Sequence, residues 1–179
     1  MTPNESHRQW FMLTLVGADR PGIVARVTGA LYRGGCNLGE ASMLRLGGVF
    51  TIMLMVSGTR DAEALAALVE PVAAELSLHV HVDEVQARLH AHPRPDVQIT
   101  VYGADRPGIV AEVTGALAEA GLNILDLNSQ VGGTAERPVY IMLIDGHAAQ
   151  GVDKLERALA RVREQGIDAS LRPLDTLIG

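Results

Sequence analysis

The nonapeptide Gly-Ala-Asp-Arg-Pro-Gly-Ile-Val-Ala occurs twice in this 179-residue chain, at residues 17–25 and again at residues 103–111. Between residues 17–37 and 103–123, 16 of 21 aligned positions are identical. Identity on this scale marks a duplicated structural unit. The sequence therefore predicts two domains of one kind, at residues 8–86 and 96–175, joined by a linker at residues 87–95 whose prolines favour extended backbone.

Hydrophobic periodicity predicts how each copy begins. Apolar, β-prone residues at 10–16 and alternating apolar and polar residues at 97–101 predict a first strand. A proline suits the first position of a helix, so Pro21 and Pro107 predict a helix that begins there, with the arginine before each proline as its N-cap. The apolar stripe of the first of these helices comprises Ile23, Val24, Val27, Ala30 and Leu31.

The remaining elements follow in the same order in both copies. Glycine pairs at Gly47-Gly48 and Gly132-Gly133 predict turns that join two strands into a hairpin, and a second helix and a closing strand follow. The order βαββαβ, found twice, is that of an α+β ferredoxin-like fold, in which a four-stranded antiparallel sheet carries both helices on one face. The other face of each sheet must be solvated or covered by another unit or subunit.

Charge and composition narrow the class of partner. Residues 1–89 hold 7 Arg and Lys against 9 Asp and Glu, and residues 90–179 hold 8 against 12, so neither half is basic. Binding of nucleic acid by charge neutralisation requires clustered Lys and Arg, so we expect no direct contact with nucleic acid. A single cysteine, the lack of a long apolar run and a polar N-terminus predict a cytoplasmic protein that does not bind membranes.

The Asp-Arg-Pro-Gly turn after the first strand is the candidate ligand site of each copy. Free N–H groups in the first helical turn and the positive end of the helix dipole favour a carboxylate, and Asp19 or Asp105 is placed to meet an ammonium group. Together these groups suit a zwitterionic amino acid. The alternative is structural: the aspartate forms an Asx-type turn, and Arg20 or Arg106 is a solvated cap.

Asn37 and Asn123 follow the glycine that ends the first helix of each copy. An asparagine amide offers both a donor and an acceptor, so either side chain could bind the carboxylate or the amine of a ligand. The alternative is again structural, because asparagine tolerates left-handed backbone dihedrals.

No sequence motif indicates catalysis or a bound cofactor. The chain has no Gly-x-Ser-x-Gly, Walker A, Gly-x-Gly-x-x-Gly or His-Glu-x-x-His pattern. The pairs His79/His81 and His90/His92 lack further ligands at the spacing of a metal site, so a solvated face is the better interpretation. We therefore expect no metal, no cofactor and no enzyme activity.

The segment Gly-Ala-Asp-Arg-Pro-Gly-Ile-Val, followed by a helix and then by Gly-Cys-Asn-Leu or Gly-Leu-Asn-Ile, resembles the ACT domain. The resemblance covers about residues 10–174, and the tandem arrangement is similar to that of the glycine cleavage system transcriptional repressor family. It implies that a small amino acid binds where two modules meet, at the end of the first strand, the turn after it and the start of the second strand. Carried to this sequence, these positions are Asp19, Arg20, Pro21, Gly22, Asn37, Leu38, Asp105, Arg106, Pro107, Gly108, Asn123 and Ile124.

The resemblance also implies a mode of action, contact with a DNA-bound activator rather than with DNA, which agrees with the acidic charge of this chain. The leading hypothesis is a cytoplasmic, homo-oligomeric regulator of glycine or amino-acid metabolism. Its effector would be glycine or serine, and its partner a protein such as a transcriptional activator. Two alternatives remain open: an effector-free interaction scaffold, and the regulatory subunit of an amino-acid or folate pathway enzyme.

Overall fold

A computed structural model describes residues 9–85, 93–104, 106–134 and 136–174 of the chain. Asp105, most of the predicted linker at 87–95 and the predicted domain ends at residues 8, 86 and 175 lie outside the described residues. The chain divides into two compact units, Met1–Ala91 and His92–Gly179. The duplication in the sequence is therefore also a division of the fold.

The first unit has the element order βαββαβ. Its elements are β1 (Trp10–Ala18), α1 (Ile23–Arg33), β2 (Asn37–Leu46), β3 (Val49–Ser57), α2 (Ala62–Leu76) and β4 (His79–Val85). The strands form an antiparallel sheet in the order β2-β3-β1-β4. Because β1 and β2 both pair antiparallel with β3, they run in the same direction on either side of it.

The second unit repeats this order. Its elements are β5 (Val97–Ala104), α3 (Ile109–Glu119), β6 (Leu122–Thr134), β7 (Arg137–Ala148), α4 (Val152–Glu164) and β8 (Asp168–Pro173). The strand order is β6-β7-β5-β8, again antiparallel. Both units thus confirm the predicted α+β, ferredoxin-like fold. Within the described ranges, no helix is long and apolar enough to cross a membrane.

Alternation along the central strand places one face of each sheet in a core. In β1, Phe11, Leu13 and Leu15 are buried and the residues between them are half-buried. The same side chains pack with buried residues of α1 and α2 in one cluster, and β5, α3 and α4 form an equivalent cluster. Each unit therefore has a core of its own, and the burial of one large apolar side chain in it contributes about 1.5–3 kcal/mol to stability.

One position of the predicted helical stripe is wrong. Val24 is 38% exposed, and Val110, at the same place in α3, is 36% exposed. By contrast, Ile23, Val27 and Leu31 of α1 are buried as predicted. Because Val24 lies in the first turn of α1, its side chain borders the surface between β1 and α1 instead of the core.

A left-handed glycine ends α1, as the sequence predicts. Gly35 has φ 73°, and its N–H donates to the Tyr32 carbonyl at 3.0 Å. The N–H of Cys36 donates to the Leu31 carbonyl, also at 3.0 Å. These two bonds form a Schellman motif, which satisfies carbonyl groups at the helix end and turns the chain into β2.

The prediction that Gly132-Gly133 forms the second hairpin turn is wrong. Both glycines lie within β6, which continues to Thr134 and pairs with β7 as far as Arg137. The strands of this hairpin have 13 and 12 residues, whereas β2 and β3 have 10 and 9. The longer strands carry the turn beyond the glycine pair, while in the first unit Gly47-Gly48 does form the turn.

Candidate functional site

The Pro-Gly pair before α1 forms a β-turn and not the first turn of the helix. The helix begins at Ile23, and its N-cap is Gly22, with φ 84° and ψ 2°. Proline followed by a glycine with these dihedrals is typical of a type II turn, in which they occupy the second and third positions. The prediction that the helix begins at Pro21, with Arg20 as its N-cap, is therefore wrong.

The second copy has the same turn. Gly108 has φ 94° and ψ −15°, and the N–H of Ile109 donates to the Arg106 carbonyl at 3.5 Å. Arg106 and Pro107 thus occupy the first two turn positions, and the prediction of Arg106 as an N-cap is also wrong. Glycine adopts left-handed dihedrals at the least cost, so the Pro-Gly pair fixes the backbone of both copies here.

A depression of about 390 Å³ lies at residues 17–25, which we call the β1–α1 corner. We call residues 103–111 the β5–α3 corner. The depression is lined by Asp19, Arg20, Gly22, Ile23, Val24, Ala25, Met43, Arg45 and Phe50. Because the first N–H groups of a helix have no intrahelical partner, the depression combines backbone donors with charged and apolar side chains.

Asp19 and Arg20 differ in their partners. Arg45 of β2 donates a hydrogen bond to the Oδ2 atom of Asp19 at 3.1 Å. The side chain of Arg20 makes no hydrogen bond or ion pair in the part of the chain that the structure describes. An exposed ion pair adds little stability, and this contact uses only one of the two carboxylate oxygens of Asp19. Among the described residues, Arg20 is the cation of the corner that is available to a ligand.

The β5–α3 corner pairs its arginine instead. Arg106 donates two hydrogen bonds to the Glu112 carboxylate of α3, at 3.0 and 2.6 Å. These bonds hold the pKa of the Glu112 carboxyl below its usual range. A bidentate pair of this kind fixes the guanidinium in one orientation. The cation of this corner is therefore already occupied.

A single helix position separates the two arrangements. Glu112 of α3 corresponds to Arg26 of α1 in the aligned repeat. Arg26 forms an ion pair with Glu75 of α2, and the hydrogen bond from Arg26 lowers the pKa of the Glu75 carboxyl. Because like charges repel, Arg26 cannot hold Arg20 in the way that Glu112 holds Arg106.

The second difference between the corners is the partner of the aspartate, which is Arg45 of β2. The sequence analysis did not predict this residue. Arg45 pairs in register with Phe50, which pairs with Gly17. The equivalent row of the second unit is Val131, Tyr140 and Gly103. The only sequence signal for Arg45 is the register of the hairpin, because the residue lies far from the repeated motif and is not itself repeated.

Asn37 lies at the opposite end of the sheet from the β1–α1 corner. It pairs with Ser57, which pairs with Trp10 at the start of β1, whereas the corner follows Ala18 at the end of β1. At about 3.3 Å per residue, β1 spans roughly 26 Å between these ends. The structure therefore brings Asp19, Arg20 and Gly22 together, but it does not bring Asn37 to them within the first unit.

The start of the second strand has the same irregularity in both units. The register of β2 shifts after Leu38, and the register of β6 shifts after Ile124, so each strand contains a bulge just past its asparagine. Asn37 and Asn123 are both exposed. Leu38 is 44% exposed, whereas Ile124 packs against the second core. A bulge bends the strand end in both units, but the residue after the asparagine is exposed only in the first unit.

The predicted histidine pairs are described only in part. His79 and His81 lie on β4, and the Nε2 atom of His81 is 3.1 Å from the Oδ1 atom of Asp83. Among the described residues, no three His, Cys, Asp or Glu side chains form a group that could hold a metal ion. His90 and His92 lie outside the described residues.

Comparison with known sequences identifies relatives of both units. The sequence profile of the ACT domain matches residues 9–83 and 96–171. The glycine cleavage system transcriptional repressor of Escherichia coli (strain K12) is 32% identical over 130 residues, which are 70% of this chain and 66% of that relative. The match thus spans slightly less than two thirds of the relative's length.

Two solved structures share the fold over nearly the whole chain. The crystal structure of an unknown protein from Galdieria sulphuraria has a TM-score of 0.76 and 26% identity, and the match covers 93% of this chain and 99% of that one. A structure provisionally described as a glycine cleavage system transcriptional repressor has a TM-score of 0.68 and 22% identity, with 94% and 99% covered. At this identity the second match supports the fold alone.

Three observations indicate the same family: the repeated corner, the two βαββαβ units and the profile match over most of the described chain. The chain belongs to the ACT-domain family and consists of two tandem ACT domains.

Proposed function

We propose that this chain is an amino-acid-sensing regulator of transcription that acts through contact with another protein, and that it is not an enzyme. The observation that carries the proposal is the β1–α1 corner, where the start of a helix and an arginine with no partner among the described residues lie beside an aspartate. An amino acid carries both charges that such a corner can bind. The similarity to a glycine cleavage system transcriptional repressor supports glycine metabolism as the regulated process.

In this proposal the corner binds both charged groups of the effector. The carboxylate accepts hydrogen bonds from Arg20 and from the first N–H groups of α1, since a helix N-terminus favours an anion. The ammonium group donates to the Oδ1 atom of Asp19, because the contact with Arg45 uses Oδ2. Val24 and Met43 line the depression with apolar groups. Glycine or serine is the proposed effector because the chain is similar to a repressor of the glycine cleavage system.

A second copy of the chain completes the proposed site. Asn37 and Leu38 lie roughly 26 Å from the corner of their own unit, so one amino acid cannot touch both sets. If the effector contacts both sets, the asparagine must come from another ACT domain, which a homo-oligomer supplies. Both residues are exposed and are therefore accessible to such a contact.

The equivalent residues of the second unit form a weaker site in this proposal. They are Asp105, Arg106, Pro107 and Gly108, with Asn123 and Ile124 at the start of β6. Arg106 is held by Glu112, so a ligand carboxylate must displace an existing bidentate pair. The affinity of the β1–α1 corner should therefore exceed that of the β5–α3 corner.

The charge of the chain supports action through a protein partner rather than through DNA. The formal net charge is −6, which disfavours direct contact with DNA phosphates. A cytoplasmic transcriptional activator is the partner that we infer. An effector can control such a contact only if it binds one arrangement of the protein better than another.

Calorimetric titration of the full chain with a panel of amino acids tests the sensing part of the proposal. We expect glycine or serine to bind, and Arg20→Ala to weaken that binding by about tenfold or more, since it removes a charged hydrogen-bond donor. The matched variant Arg106→Ala should leave the affinity nearly unchanged. Silence across the panel would contradict amino-acid sensing and favour the effector-free scaffold.

A further inference from the structure

A groove runs between α3 and α4 on the surface of the second unit. It has a volume of about 340 Å³. It is lined by Ala116, Glu119, Ala120, Lys154, Arg157, Ala158 and Arg161, and we call this set the α3–α4 groove. Three alanines form its apolar part, and three cations and one glutamate supply its charge. None of these residues belongs to the β5–α3 corner.

In the first unit a leucine occupies the place of this groove. Leu155 and Leu159 of α4 take the core places of Leu65 and Val69 in α2, so Ala158 corresponds to Leu68. In the first unit Leu68 packs so closely on Gly34 that a Cβ atom at Gly34 would lie 2.6 Å from its Cδ1 atom. In the second unit Ala120 stands at the place of Gly34, and its partner is the short Ala158.

The cations are also specific to the second unit. Lys154, Arg157 and Arg161 lie at positions i, i+3 and i+7 of α4, and therefore on one helical face. The corresponding residues of α2 are Ala64, Ala67 and Pro71.

Two of the three cations have no partner among the described residues. Lys154 donates to the Oε1 atom of Gln150 at 2.7 Å. Arg157 and Arg161 make no hydrogen bond or ion pair with any part of the chain that the structure describes. All three side chains belong to exposed residues. In a chain of net charge −6, an exposed row of cations against one glutamate is a local reversal of sign.

The spacing of the cations suits a row of carboxylates better than one small anion. Seven residues of α-helix span about 10 Å at 1.5 Å per residue. Glutamates at i, i+3 and i+7 of a second helix repeat over the same length, and arginine binds carboxylates in a bidentate manner. The alanines between the helices accept small apolar side chains of such a segment.

We propose that the α3–α4 groove binds an acidic amphipathic helix of a partner protein. This inference rests on the proposed function in one respect, namely that the chain acts through a protein contact. It assigns that contact to the α3–α4 groove of the second unit, whose lining residues differ from those of the effector corner. Charge complementarity across such an interface governs the rate and specificity of association.

Fluorescence anisotropy with the full chain tests the groove. The probe is a labelled helical peptide with glutamates at i, i+3 and i+7 and with alanines and leucines between them. Its control has glutamine at every glutamate. We expect the acidic peptide to bind and the glutamine peptide to bind at least about tenfold more weakly. The Arg157→Glu/Arg161→Glu variant should have a similarly reduced affinity for the acidic peptide.

Two further variants separate groove binding from general charge attraction. Arg33→Glu/Arg94→Glu changes the net charge by the same amount at exposed sites elsewhere and should leave binding nearly unchanged. Ala120→Gly/Ala158→Leu gives the second unit the glycine and leucine of the first, keeps all three cations and should weaken binding by filling the groove. Failure of the wild-type chain to bind the acidic peptide, or equal losses in the two charge variants, overturns the proposal.

Titration with inorganic pyrophosphate distinguishes a small-anion site. If pyrophosphate binds the wild-type chain as tightly as the peptide and displaces it, the groove recognises a small anion and the proposal is wrong. Amino-acid calorimetry on the same variants keeps the two hypotheses apart. Peptide binding without amino-acid binding leaves the groove assignment intact and removes sensing, and the converse result removes the groove alone.

Discussion

The β1–α1 and β5–α3 corners share nine consecutive residues, yet their charged side chains have different partners. In the first corner Arg45 pairs with Asp19, and Arg20 has no partner in the part of the chain that the structure describes. In the second, Glu112 holds Arg106. Both partners lie outside the nonapeptide: Arg45 is on β2, which β3 separates from β1, and Glu112 is the residue that follows the second nonapeptide. The comparison teaches that a duplicated motif determines the backbone of a site, whereas residues from elsewhere determine its charge.

Gly17 and Gly103, the first residues of the two corners, should differ most in their tolerance of a side chain. A Cβ atom at Gly17 would lie 2.6 Å from the Cδ2 atom of Leu78 and 2.9 Å from the backbone oxygen of Ser77. At Gly103 the sole conflict is with the end of the Ile109 side chain, at 2.6 Å. We expect Gly17→Ala to lower the free energy of unfolding by about 2–3 kcal/mol and Gly103→Ala by under about 1 kcal/mol.

Urea unfolding followed by circular dichroism measures both effects. Gly29→Ala is the matched control, because Gly29 is inside α1 and its nearest neighbour for a Cβ atom is an Arg33 side-chain atom at 3.5 Å. Alanine favours a helix over glycine, so this control should be stabilised by about 0.5–1 kcal/mol. A cost at Gly103 as large as at Gly17 would show that the two strand ends are packed alike.

Replacement of Arg26 in α1 by a carboxylate should give the first corner the charge pairing of the second. In Arg26→Glu a carboxylate stands where α3 has Glu112, so it should pair with Arg20 and weaken amino-acid binding by about tenfold. The measurement is calorimetric affinity for the amino acid that binds the wild-type chain best. Arg26→Gln breaks the pair with Glu75 without adding a carboxylate, so it should keep nearly the wild-type affinity. Equal affinities in the two variants would contradict control by pairing.

The titration of Glu112 should give the smallest effect. Its folded pKa is lowered by the hydrogen bonds from Arg106, so the resulting stabilisation is complete above the ordinary glutamate pKa of about 4.3. It is lost as the pH falls through the lowered folded value. In an NMR titration we expect Arg106→Ala to raise the midpoint of Glu112, with Arg106→Lys in between. An unchanged midpoint in Arg106→Ala would mean that the pair does not form in solution.

Most of the fold could be predicted from the sequence because local signals agree with the tertiary structure. The first predicted hairpin forms as expected: β2 ends at Leu46, and the predicted turn glycine Gly47 follows it. The start of α1 was less predictable, because proline suits both the first helical position and the second position of a type II turn. The left-handed Gly22 decides for the turn.

The candidate site could be predicted only in part. The backbone of the corner is local, so the repeat indicates it directly. The partners Arg45 and Glu75 come from other elements, and no spacing along the chain indicates them. Strand direction explains the position of Asn37. Because β1 and β2 run the same way, the end of β1 and the start of β2 lie at opposite ends of the sheet.

The two hydrophobic clusters share no residue, since one draws on residues 11–82 and the other on residues 97–171. Because one chain carries both units, their sequences can diverge while the two are always produced in equal number. Selection could therefore remodel the surface of one half, as at the place of Leu68 and Ala158, while the interior of the other half kept its ancestral form.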